Sequence, residues 1–128
     1  MTRTLLALLL AAVAPLATGG ALDGEYRGRL DGERKLDLSE RDDGQVSVTM
    51  SLSVPQDDGG RCRGEFVAHG LRDGRTITVE PATGADACRI VIGVQAGQAT
   101  VTEEGQGCAA LRDGACSYAG KLDRIRAR

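Results

Sequence analysis

Aromatic residues are nearly missing from this chain. Of 128 residues only Tyr26, Phe66 and Tyr118 are Phe or Tyr, and there is no Trp. That poverty, with a formal charge of −2, argues against a nucleic-acid binder, which needs a basic face and usually stacking platforms. It argues equally against a carbohydrate groove built on Trp and Tyr. There is one His and there are three Pro. No C-x-x-C pair occurs, so the sequence implies neither a zinc site nor another bound metal or cofactor. Past Ala21 no segment reads as a helix of three turns, and no apolar run approaches the roughly 20 residues that span a bilayer.

What is present begins with an address. Met1-Thr-Arg-Thr4 is followed by an apolar run from Leu5 to Ala14, then Pro15 and small residues to Ala21. A cation, a hydrophobic centre of about ten residues and a small-residue exit make a secretory signal. Cleavage after Ala21 is favoured, with cleavage after Gly19 second. Residues 1–21 are therefore read as signal and 22–128 as one mature domain, whose charge falls to −3 with the loss of Arg3. The mature protein is expected in the periplasm or secreted, with no transmembrane segment.

Export makes the cysteines legible. Cys62, Cys88, Cys108 and Cys116 all lie in the mature part, and an even number in an oxidising compartment reads as two disulfides. Following the chain from turn to turn favours Cys62–Cys88 and Cys108–Cys116; the sequence leaves the other pairings open.

Turn signals punctuate the mature chain at Asp31-Gly32, Asp43-Gly44, Asp58-Gly59-Gly60, Asp73-Gly74, Ala96-Gly97 and Asp113-Gly114. Asp-Gly supplies the positive φ of tight hairpins, and this spacing marks an antiparallel all-β chain. Between the turns the residues alternate. Val46-Ser-Val-Thr-Met-Ser-Leu-Ser-Val54 has period two without exception, the mark of a half-buried strand. Cys88–Val94, Thr76–Val79, Gly24–Leu30 and Cys116–Leu122 behave likewise, and segments near 62–69 and 99–104 complete seven or eight strands. Leu36 and Leu38 keep the parity of the first strand, which is either one long bent strand or a hairpin at Asp31-Gly32. Inward glycines beside an aromatic in both the first and last strands suggest a sheet closed on itself. The expected fold is a single-domain, antiparallel, up-and-down β-barrel, its interior filled by Leu, Val and Ile.

Candidate chemistry is sparse. Parity turns His69 outward at a strand end, with no nucleophile or orienting group suggested nearby, so no catalytic residue is assigned. The Asp-rich turns lack the D-x-D-x-D-G pattern of a calcium loop, and hairpin chemistry accounts for them. Leu71-Arg-Asp-Gly74 recurs as Leu111-Arg-Asp-Gly114 without matching flanks, which reads as recurrent turn chemistry. The connection 105–116 is the longest, and with Cys108 tied to Cys116 it would expose Leu111 and Arg112 at its tip. A pinned loop loses little entropy on binding, which makes it either a contact loop or a plain structural staple.

Cys88-Arg-Ile-Val-Ile, Ala99-Thr-Val-Thr, Gly107-Cys108 and Cys116-Ser-Tyr-Ala-Gly120 together resemble small secreted bacterial β proteins, and look broadly similar to periplasmic lysozyme inhibitors of the small-barrel type. The resemblance covers about 85–125 and implies a disulfide-bonded eight-stranded barrel. The inhibitors' Ser-Gly…Tyr signature is missing, so no role passes from it to Ser117 or Lys121. The reading is an exported, non-enzymatic barrel that binds another protein, with inhibition of a lysozyme-type cell-wall hydrolase as its sharpest form. Contacts are expected at Leu111 and Arg112, with Ser117 and Lys121 beside them on one outward face. An envelope or toxin-immunity binding protein and a small-ligand carrier are the alternatives.

Overall fold

A computed structural model describes residues 22–29, 31–81 and 86–127. The signal reading of 1–21 and the inward placement of Leu30 lie outside these residues. Eight strands follow in chain order: β1 (Gly24–Gly28), β2 (Glu33–Glu40), β3 (Gln45–Pro55), β4 (Arg61–Asp73), β5 (Thr76–Val79), β6 (Arg89–Gln95), β7 (Gln98–Glu104) and β8 (Gly120–Ala127). Each pairs antiparallel with its neighbour, and β8 returns to β1, closing an up-and-down barrel. The segment after β1 is a hairpin, with Gly28 opposite Arg34 across the turn at Asp31-Gly32.

Period-two patterning produces this closure directly. On β3, Val46, Val48, Met50, Leu52 and Val54 point inward, while Ser47, Thr49, Ser51 and Ser53 stand half-buried on the outside. Tyr26, Leu36, Leu38, Ile77, Ile90, Ile92, Val94, Ala99, Val101 and Leu122 join them to fill the interior. Apolar inside and polar outside is the reverse of a membrane-spanning barrel, whose outward band is apolar. The β6–β7 hairpin turns on two residues with positive φ, Ala96 (52°) and Gly97 (76°), the backbone twist that suits tightly linked antiparallel strands.

The ends of the barrel differ. At one end Leu22 is buried and its carbonyl accepts a hydrogen bond from the Tyr26 hydroxyl at 2.7 Å. Arg124 lies over the Tyr26 ring, 5.6 Å from its centroid, and its Nε reaches the hydroxyl at 3.3 Å. At the other end the wall opens. β4 is 13 residues long, yet pairs with β5 only through Leu71, Arg72 and Asp73. The long β7–β8 connection fills the space beside the first part of β4. It begins as a 3-10 helix (Gln106–Leu111), and Arg112 then bridges Gly64.

This packing overturns the expected disulfides. Cys62 is joined to Cys116 and Cys88 to Cys108. Counting turns places Cys62 and Cys88 at the same end of the sheet, which holds. The short β5 leaves the two strands apart, however, and the connection lies between them, bonded on one side to β4 and on the other to the start of β6. The last strand also begins at Gly120 instead of Cys116, because 116–119 folds across the barrel end. Its inward parity survives, with Tyr118 and Leu122 both fully buried.

Candidate functional site

The connection 105–119 carries three of the four contact residues the sequence suggests, Leu111, Arg112 and Ser117, and its structure follows from a carboxylate. Inward parity on β7 runs Ala99, Val101, Glu103, so the last inward position is acidic. Glu103 Oε1 accepts from Arg112 Nη1 at 2.9 Å, while Oε2 accepts from the Ser117 hydroxyl at 2.9 Å and from the backbone N–H of Tyr118. The Glu103 and Arg112 side chains are only 13% and 14% exposed. Arg112 also donates to the Cys108 carbonyl at 3.1 Å. One ion therefore holds both limbs of the connection.

Backbone and ring contacts complete the seat. Asp113 N–H donates to the Arg63 carbonyl at 2.9 Å, and Arg63 N–H donates to Asp113 Oδ1 at 2.5 Å. Gly107 N–H donates to the Ala87 carbonyl at 2.9 Å. Tyr118 packs edge-on against Phe66, with centroids 5.1 Å apart, and its hydroxyl donates to the Leu111 carbonyl at 2.6 Å. Burial pushes the Tyr118 hydroxyl up to about 12, with the Arg112 charge pulling the other way and Glu103 adding to the rise. Gly64 makes this approach feasible: a Cβ there would lie 2.3 Å from the Tyr118 hydroxyl oxygen.

The expected contact residues separate under this geometry. Leu111 packs against the core and Arg112 is held by Glu103, so neither stands at an exposed tip. The exposure expected of them presumed a loop closed on itself by Cys108–Cys116; disulfides to Cys62 on β4 and to Cys88, just before β6, draw the connection down onto the barrel instead. Ser117 is half-buried, its hydroxyl shared between Glu103 and the Ala119 N–H. Its carbonyl accepts from Nε of Arg34, the one buried cation among the described residues. A hydrogen bond to Asp31 engages Arg34 at its far end and holds that carboxyl below its ordinary range, against a smaller opposing effect of burial. Lys121 is exposed. The outward side of the connection itself is formed by Gly105, Gln106, Ala109, Ala110 and the run Asp113 to Ala115.

No protein-family model, curated protein or solved structure matches the chain. Its site must therefore be read from its own chemistry.

Glu103 is the residue the sequence reading passed over. The signal was there, a carboxylate at an inward parity position directly before a Gly-Cys connection. Val67 and Leu71 stand 59% and 66% exposed on the outer face of β4, on either side of exposed His69. The turn aspartates, by contrast, do what turn chemistry requires: Asp43 accepts from Gln45 N–H and Asp58 from Gly60 N–H.

Proposed function

We propose that this chain is an exported, non-enzymatic barrel that binds another protein, and that its sharpest form is an inhibitor of a lysozyme-type cell-wall hydrolase. The observation that carries the reading is the connection 105–119, fixed before any partner arrives by two disulfides and by Glu103. A partner meeting this loop pays little ordering entropy. The end that carries it has a modest acidic excess on its surface, with Asp31, Glu33, Asp57, Asp58, Asp86, Glu104 and Asp113 exposed beside Arg29, Arg61, Arg63 and Arg89. Many lysozymes are basic, and complementary charge raises association rates. An interior filled by Leu, Val and Ile side chains argues against a ligand carrier.

The contact residues move outward from those the sequence suggested. Ala109 and Ala110 face solvent, whereas Leu111 and Arg112 serve the barrel. The test is a cell-wall lysis assay in which oxidised protein is titrated against lysozymes of several types. Saturable inhibition near one-to-one, weakened by Ala109→Arg/Ala110→Arg at unchanged thermal stability, supports the reading. No inhibition across the panel removes the hydrolase as partner.

A further inference from the structure

We propose that the β1–β8 seam is a contact face for an anionic lipid bilayer, which the exported protein uses to lie flat on a membrane. This goes beyond the hydrolase reading and does not depend on it. The chain as a whole is acidic, yet the outer face of Gly24–Arg29 and β8 holds Arg27, Arg29, Lys121 and Arg126 against Glu25 and Asp123, while Arg124 is turned onto the Tyr26 ring. The two strands that close the barrel thus carry a basic stripe on an acidic molecule.

Most of that charge is available. Arg29, Lys121 and Arg126 are exposed, and among the described residues none has a carboxylate partner. The register Arg27 to Asp123 brings Arg29, two residues on, level with Lys121. Of the two acids, Glu25 is already engaged. Burial opposes its ionisation, but the hydrogen bond from Arg27 and the charge of Lys35 hold its carboxyl below the ordinary range. Asp123 accepts from the Gln98 amide at 3.3 Å.

An aliphatic side chain lies within the same stripe. The β1–β8 register slips between Glu25 and Tyr26, which pair with Arg126 and Arg124. Ile125 is the extra residue of this bulge and is 52% exposed. Arg27, Arg29, Lys121 and Asp123 surround it on this open face. Long-stemmed cations around an exposed aliphatic suit the headgroup boundary, where the stems and the Ile side chain meet acyl carbon and the charges meet phosphate. The face is the open outer wall of a barrel, with its cations spread along two strands. A discrete ligand is normally held in a concave site by convergent groups, whereas a planar array of charge fits an open wall.

The test is co-sedimentation of the oxidised barrel, residues 22–128, with vesicles of phosphatidylglycerol and phosphatidylcholine at low salt, beside vesicles of phosphatidylcholine alone. Each cation near an anionic surface strengthens partition by about fivefold, so three free ones, offset by the exposed Asp123 carboxylate, predict a preference of roughly 20- to 30-fold that fades with added salt. Arg29→Glu/Lys121→Glu should abolish most of it at unchanged thermal stability, and Ile125→Asn should weaken it by about two- to fivefold. Equal partition to both vesicles, or indifference to the charge reversal, would overturn the proposal. Tighter binding to soluble polyglutamate than to vesicles, insensitive to Ile125→Asn, would assign the face to an acidic protein instead. No hydrolase enters this experiment, so its failure and failure of the inhibitor reading are separate results.

Discussion

Removing the Glu103 carboxylate tests the account of the β7–β8 connection most directly. Glu103→Ala leaves the Arg112 guanidinium at 14% exposure with only the Cys108 carbonyl as partner, and it orphans the Tyr118 N–H. Breaking a buried ion pair by deleting one member costs about 3–5 kcal/mol, because the other charge stays desolvated. The residual exposure of both side chains favours the lower half of that range. For a domain near 100 residues about 1 kcal/mol moves the melting temperature by ~4–8 °C, so oxidised Glu103→Ala should melt roughly 12–32 °C lower. Glu103→Gln keeps acceptor capacity for Ser117 and Tyr118 and should lose only about half as much. Arg112→Ala added to Glu103→Ala should then cost less than the sum of the two, by ~1–3 kcal/mol. Thermal and urea unfolding followed by circular dichroism give all three numbers. A Glu103→Ala protein within about 1 kcal/mol of the parent, with no coupling to Arg112, would refute the claim that this carboxylate organises the connection.

Non-reducing peptide mass spectrometry should recover Cys62 joined to Cys116 and Cys88 to Cys108. By loop length the separations of 54 and 20 residues correspond to about 4 and 3 kcal/mol in the chain-entropy account. Because one loop encloses the other, removing both should cost less than that sum. Alkaline titration of stability should expose Tyr118: its hydroxyl is pushed up to about 12, whereas an unfolded tyrosine titrates near 10. The unfolded chain therefore loses its proton first, so stability is full below pH ~10 and declines until about pH 12. Tyr118→Phe should remove that decline from an already weakened protein, readable in urea midpoints across the range. Glycine substitutions should divide by their surroundings. Gly70→Ala drives a Cβ to 2.2 Å from the Thr78 carbonyl and should destabilise by more than ~2 kcal/mol, while Gly93→Ala meets open space and should gain about 0.5–1 kcal/mol.

Two identical tetrapeptides show where local sequence stops deciding structure. Leu71-Arg-Asp-Gly74 ends β4 and turns into β5, with Leu71 in solvent and Arg72 paired to Glu40 at 2.8 Å. Leu111-Arg-Asp-Gly114 ends the 3-10 helix and lies against β4, with Leu111 on the core and Arg112 on Glu103. Nothing within the four residues distinguishes these fates. What differs is the neighbour each meets, and that is decided by strands distant in the chain.

The sequence by itself determined the closed antiparallel barrel and which side of each strand faces inward. Alternation is a short-range property: each residue's side follows from its neighbours along the strand, and Asp-Gly turns limit where strands end. Even the inward Tyr118 obeys this, although its segment is not a strand. Tertiary structure alone decided the disulfide partners, the burial of Arg112 and the role of Glu103. These depend on the mismatch between a long β4 and a short β5, which opens the wall and admits a distant connection. Strand lengths follow from competition among pairings across the whole sheet, so no window of sequence contains them.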